Sequence, residues 1–147
     1  MARATVRLTN DAYRTTISSR HHVYYADESQ EDGGADTAPM PTEMLMGALG
    51  ACIAITLKKY ADRKKWPLEG VDVAVDYARF NGADYDAYEG DEQYVHEIRE
   101  KITLHGPLTE EQKARLMDIA TKCPVRRVIS TPSFFKEELA DIEGLPE

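Results

Sequence analysis

Two sulfur atoms are the most nucleophilic groups this chain could deploy. One is Cys52, inside the small-residue apolar run ALGACIAITL (48–57), and the other is Cys123, about seventy residues later in ATKCPVRR (120–127). A free cysteine behaves as a small core hydrophobe unless something makes it a thiolate, the form that attacks peroxides, disulfides and metals. Composition alone leaves Cys52 open between these roles. Cys123 carries more local signal. Pro124 disfavours helical geometry before it and suits the first turn after it, so Cys123 reads as the N-cap of a helix starting PVRRVIS. Free N–H groups and the helix dipole at such a start favour the thiolate and lower a reference pKa of about 8.5, and Arg126 and Arg127 would add to that. A zinc site is not expected from the two cysteines and four histidines, because neither C-x-x-C nor H-x-x-x-H spacing occurs.

The bulk properties narrow the field. A chain of 147 residues fits one domain, with 42% hydrophobic residues for a core and 30% charged residues for a wet surface. A net charge of −8 argues against a nucleic-acid binder, which needs a dense cationic face. The longest strongly apolar run, Met44 to Leu57, is short for a membrane span, and MARATVRLTND has no signal-peptide pattern. The expectation is a cytoplasmic protein without membrane or nucleic-acid partners, where a permanent structural disulfide is disfavoured.

The elements that must position the two thiols can be read in order. Alternation predicts strands at Ala4–Thr9, Tyr13–Ser19 and His22–Asp27, with Asn10-Asp11 as turn chemistry. Glu28–Pro41 is acidic, rich in Gly and Pro, and reads as a long surface loop. A helix follows from about Glu43 to Lys64, with Thr42 as N-cap and Glu43 against the positive helix end. Its first half is apolar on nearly every face, which predicts burial on all sides and a partner subunit to complete it. Val71–Phe80 and Tyr94–Gly106 read as an antiparallel pair around the polar connection Asn81–Gln93. In the second of these, His96, Ile98, Ile102 and Leu104 share a face that Glu100 interrupts. Thr109 and Gln112 form a capping box for a helix over Glu110–Lys122, with Leu116, Ile119 and Ala120 as its apolar stripe. Phe134–Leu139 fits either a strand or a helical turn, before an acidic tail.

The segments APMPTEMLMGALGACIAITLKKYADRKKWPLEGVDVAV and ITLHGPLTEEQKARLMDIATKCPVRR together closely resemble the OsmC/Ohr family, the osmotically induced and organic hydroperoxide resistance proteins. The pattern is a proline and glutamate near a helix start, a small-residue run into a cysteine, then a distant C-P-V; the match spans roughly Pro39 to Arg127. The resemblance implies an α+β fold with antiparallel sheets around a long central helix, assembled as an intertwined homodimer. It also implies a thiol-dependent peroxidase acting on organic hydroperoxides. Carried over, Cys52 takes the place of the peroxidatic thiol and Cys123 that of the resolving thiol. The cycle would run through a sulfenic acid and a disulfide, with an external dithiol as reductant, often lipoyl-based in the family. No metal, haem or flavin is required.

The family also supplies an arginine held by a glutamate to activate the peroxidatic thiol. The glutamate that often directly follows the proline is replaced here by Thr42, and Glu43 stands one step on. Nine residues at ~100° each put Glu43 and Cys52 on opposite faces of an unbroken helix, ~13 Å apart along its axis, so only a partner's Glu43 could meet this thiol. The alternative is a first-turn glutamate that stabilises its own helix end. For the cation, Arg20 beside His21 and His22 is the first candidate, with Arg14 and Arg126 behind it. Met40, Met44, Met46 and Tyr60 could line an apolar substrate pocket or simply be core. Two other readings use the same fold: a non-catalytic binding protein for a small hydrophobic ligand, and a thiol redox switch.

Overall fold

The structure is a computed structural model describing residues 2–10 and 12–139; the predicted turn residue Asp11 and the acidic tail from 140 onward lie outside the described residues. Among the described residues the fold is α+β with antiparallel sheets and three α-helices. The described residues divide into two compact units, one from the stretches up to 45 and from 133 to 139, the other from 46 to 132.

In the first unit, β1 (Thr5–Leu8), β2 (Thr15–Ser19) and β3 (His22–Ala26) form an antiparallel meander. Ile17 lies opposite both Val6 and Tyr24. Ser19 pairs with His22, so the β2–β3 turn is the dipeptide Arg20-His21. Arg20 takes φ 57°, the left-handed geometry that tight hairpin turns demand. The acidic loop after β3 is organised by Asp27, which is buried. Its carboxylate accepts from the amides of Glu28 (2.9 Å) and Thr37 (3.0 Å) and from the Thr37 hydroxyl (2.7 Å). The Thr37 bonds hold this carboxyl below its ordinary pKa. Inside the loop, the Gly34 amide donates to Ser29 O at 2.8 Å, and a Cβ on Gly34 would lie 2.0 Å from Glu28 O. The long loop is thus a set of closed turns tied to one carboxylate.

The long helix α1 (Pro41–Lys64) begins earlier than the sequence suggests. Pro41 occupies the first helical position it favours, which places Thr42 inside the helix and not at its cap. Glu43 is then the third helical residue, and its Oε2 accepts from the Met40 amide at 2.9 Å, half of a capping box.

The second unit holds the main core. The α1 residues Leu49, Ile53, Leu57 and Ala61, spaced by one turn, are buried against β4 (Gly70–Asn81), β5 (Tyr94–His105) and α2 (Glu110–Ala120). The two strands form an antiparallel hairpin whose register sets Val71 opposite Leu104, Val73 opposite Ile102, and Val75 opposite Glu100. Their core face presents Val71, Val73, Val75, Ile98, Ile102 and Leu104. Gly50 lets this sheet approach: a Cβ there would already touch Val75 Cγ2 at 3.4 Å. The capping box of α2 is complete, with Gln112 N–H donating to Thr109 Oγ1 (3.2 Å) and Thr109 N–H to Gln112 Oε1 (3.0 Å). After a turn at Thr121-Lys122, α3 (Pro124–Ser130) starts with Cys123 as N-cap and Pro124 in its first turn.

Within the single chain the apolar first half of α1 is covered along one stripe: Ala48 and Ala51 are exposed, and Ile55 is 54% exposed, which leaves uncovered the side expected to meet a partner. With 24 residues, α1 is long and apolar enough by composition to cross a membrane. Its Leu49–Leu57 stripe instead faces the hairpin and α2, and its last turns carry Lys58, Lys59, Asp62, Arg63 and Lys64. Phe134–Leu139 is neither strand nor helix but irregular and exposed.

Candidate active site

Cys52 sits midway along α1, beside the buried stripe, half-buried and packed on the core. It lines a groove of about 620 Å³ in the second unit. Ala48, Ala51, Ile55, Ile119 and Pro124 give the groove apolar walls, while Lys59, Arg63 and Lys122 bring cations to it. Tyr60 lies two turns beyond Cys52 on the same wall. Its phenol oxygen accepts from Arg115 Nε at 3.1 Å. That bond, helped by the charges of Arg115, Lys64 and Arg63, lowers the phenol's pKa from its ordinary value. Among the other pocket candidates, Met46 is buried core.

Cys123 is fully buried in the core cluster against which Cys52 packs. The fold thus brings two residues about seventy positions apart into one neighbourhood, both as free thiols and near enough for Cys52 to perturb Cys123. The predicted N-cap role of Cys123 is present, since the Arg126 amide donates to its Sγ at 3.4 Å. The predicted effect on its acidity is reversed. Burial pushes the Cys123 thiol above its ordinary pKa, and the hydrogen bond and negative charge of Cys52 push the same way. The amides of Arg126 and Val125 pull downward but do not win. Two weak dipolar donors cannot offset the loss of water around a charged sulfur. Burial therefore opposes the thiolate form at Cys123.

The remaining candidates have local partners. Glu43 accepts from the Met40 amide, the end-stabilising role set out as its alternative. Arg20 is exposed at the β2–β3 turn and lines a shallow cleft with Arg3, Ser19 and His21. The His21 and His22 rings stack at a tilt, 4.0 Å between centroids. Arg14 lies over the Tyr25 ring at 4.2 Å. Arg126 is engaged through Nη1 with Glu100 Oε2 at 2.7 Å. The sequence reading gave Glu100 no role, although its break in the apolar alternation of β5 was the available signal. The cations at the groove left no such trace, because Lys59, Arg63 and Lys122 meet there only once α1 and α2 pack. Among the described residues no cluster of His, Cys, Asp and Glu could hold a metal ion.

The site is thus a two-thiol centre at one wall of an apolar groove, on an α+β scaffold with a long central helix. The family model for OsmC-like protein matches residues 33–138, and the chain belongs to this family. No curated protein matches it. Solved structures share the fold at low identity. An OsmC-like protein from Mycoplasma pneumoniae is 21% identical with a TM-score of 0.69, over 88% of this chain and 86% of that one. An organic hydroperoxide resistance protein OsmC from Legionella pneumophila is 15% identical with a TM-score of 0.64, over 88% of this chain and 89% of the other. The organic hydroperoxide resistance protein OhrB of Bacillus subtilis is 14% identical with a TM-score of 0.59, over 88% and 90%.

Proposed function

We propose that this protein is a thiol-dependent peroxidase that reduces organic hydroperoxides through a Cys52–Cys123 cycle. The observation that carries this reading is the pairing of the two thiols: a groove-lining Cys52 packed against the buried cluster that holds Cys123. A Cys52 thiolate attacks the distal peroxide oxygen, and the O–O bond breaks. The alkoxide leaves as alcohol with a proton from solvent, and Cys52 carries a sulfenic acid. The Cys123 sulfur then attacks the Cys52 sulfur, and the S–O bond breaks. The departing hydroxide and the thiol proton leave as water, and a disulfide remains. An external dithiol, lipoyl-based as in the family, restores both thiols by exchange. The apolar walls favour hydroperoxides with hydrocarbon bodies.

In this reading the protein works in the cytoplasm as a homodimer. The exposed apolar side of α1, with Leu45 46% and Ile55 54% exposed, is the face the dimer would cover. A partner's Glu43 would meet the thiol only in that assembly, because nine helical residues keep the chain's own Glu43 from its own Cys52. The test is intact-mass and peptide mass spectrometry after one equivalent of cumene hydroperoxide. A Cys52–Cys123 link with one alcohol released is the expected result. A wild type that neither consumes peroxide nor forms the link, yet binds hydrophobic ligands equally well as Cys52→Ser, would make it a binding protein instead. Single oxidation that ordinary dithiols do not reverse would make it a switch.

A further inference from the structure

The carboxylate at position 100 is the least expected side chain in the core wall. It stands on the face of β5 that otherwise packs the partly buried Ile98, Ile102 and Leu104 against the core, directly opposite Val75, the residue that packs on Gly50 of α1. Its side chain is only 13% exposed. A carboxylate there loses most of its hydration, and an apolar residue would fill the place at less cost. Its partner is Arg126, 2.7 Å away, whose own amide donates to Cys123 Sγ. One residue therefore ties the β-hairpin to the sulfur.

The helix that carries Arg126 needs such a tie. α3 has seven residues, none of them fully buried, and a helix this short is not stable alone. Its described attachments are Val125 against the core, the Cys123 cap, and the Arg126–Glu100 pair. Disulfide formation requires the two sulfurs to close to ~2.05 Å with a defined dihedral angle. How often they reach that geometry depends on how firmly the start of α3 is held.

We propose that the Glu100–Arg126 ion pair is a positioning clamp: it holds the start of α3 so that Cys123 captures an oxidised Cys52 as a disulfide before further oxidation. The proposal rests on the two-cysteine reading above and assigns the regulation of its second step. The competing step is attack of a second hydroperoxide on the Cys52 sulfenic acid, which yields a sulfinic acid and a second alcohol. Capture is intramolecular, so its rate falls steeply with small misplacements, while the competing step does not depend on α3.

The experiment uses the full chain, reduced and then challenged with excess cumene hydroperoxide under rapid quench, in wild type, Glu100→Gln, Glu100→Leu and Arg126→Gln. The expected result is an unchanged rate of sulfenic acid formation and a disulfide-to-sulfinic ratio lowered about tenfold in all three. The charge exchange Glu100→Arg with Arg126→Glu should recover part of that ratio. Glu100→Leu keeps the wall apolar, and a Tm at or above wild type in that variant separates clamping from general unfolding. An unchanged ratio in folded Glu100→Leu and Arg126→Gln overturns the proposal. So does slower sulfenic acid formation in Arg126→Gln, which would place Arg126 in the peroxide step. A second arm oxidises the same proteins with oxidised dithiothreitol. If wild type ignores hydroperoxide yet closes its disulfide more readily than the variants there, the clamp stands and the peroxidase reading falls. If wild type closes no disulfide with either oxidant, both fall.

Discussion

The middle of α1 and the start of α3 each present one sulfur, and their surroundings differ in almost every respect. Cys52 stands on a helix of 24 residues, anchored on both sides by buried turns, and looks into an open groove. Cys123 starts a helix of seven residues with no fully buried side chain, yet is itself sealed from water. The rigid element therefore carries the accessible thiol and the marginal element carries the hidden one. A thiol that meets a substrate benefits from the fixed placement of a long helix, and a thiol on a short helix needs an added tether, here the Glu100–Arg126 pair, to stay placed beside its neighbour. The difference teaches that the two cysteines are not interchangeable, although local sequence makes Cys123 look the more reactive.

Exchanging each sulfur for oxygen would break the comparison most sharply. Cys52→Ser should lower hydroperoxide consumption by at least about 100-fold, since Cys52 is the thiol that lines the groove. Cys123→Ser should leave the first equivalent of peroxide consumed at near wild-type rate and then stop, with sulfinic acid accumulating on Cys52. Ferrous-xylenol orange assays with excess dithiol, read beside peptide mass spectra, distinguish the two. Equal losses of the first turnover in both variants would show that the sulfurs act as one nucleophilic unit.

Next in size is the floor beneath both sulfurs. Leu116 of α2 is fully buried in the cluster that includes Ile53, Leu57 and Cys123. Leu116→Ala should cost about 2–5 kcal/mol in denaturant unfolding, the usual range for a truncated core leucine. If α3 is the looser region, alkylation of Cys123 in this variant should rise more than that of Cys52. A matched rise would mean that the two helices open together.

Acidity sharpens the contrast further. Burial holds the Cys123 pKa above its ordinary value, so the folded chain binds that proton more tightly than the unfolded chain does. The associated stability is fully present below the unfolded thiol value of about 8.5 and is lost as pH rises through the higher folded value. Wild type should therefore lose stability relative to Cys123→Ser above about pH 8.5, in urea melts run across that window. Iodoacetamide at neutral pH should modify Cys52 first. A Cys123 that alkylates as fast as Cys52 would restore the helix-start expectation.

Much of this scaffold was legible because its signals are local. Alternation placed β4 and β5, the Thr109/Gln112 pair placed the start of α2, and Pro124 placed the junction at Cys123. The start of α1 slipped because Thr42 is a good cap by type, whereas Pro41 with Glu43 bonded back to Met40 makes a better one. The acidity of Cys123 was misjudged for a different reason. Helix-start donors lie within three residues and can be read, but the desolvation that outweighs them comes from α1 and α2, which only folding brings near. Glu100 shows the boundary well: the sequence exposes the anomaly in β5, and only the fold supplies Arg126 as its cause.

The smallest expected effect tests whether the support of α3 is local or relayed. Thr109 caps α2 from the end opposite Cys123, and its reciprocal bonds with Gln112 satisfy two otherwise free amides. Thr109→Ala should cost about 1 kcal/mol in denaturant unfolding, typical for a lost cap side chain. If α3 is held chiefly by Glu100 and Val125, fraying the far end of α2 should leave disulfide formation between Cys52 and Cys123 at its wild-type rate. Leu116 and Ile119, which lie between that cap and the sulfur, keep the last turns of α2 seated. A parallel loss of stability and of disulfide rate in Thr109→Ala would mean that α2 acts as a rigid lever on Cys123. The distinction between a firm α1 and a separately tethered α3 would then have to be redrawn as one between α1 and the whole of residues 110–130.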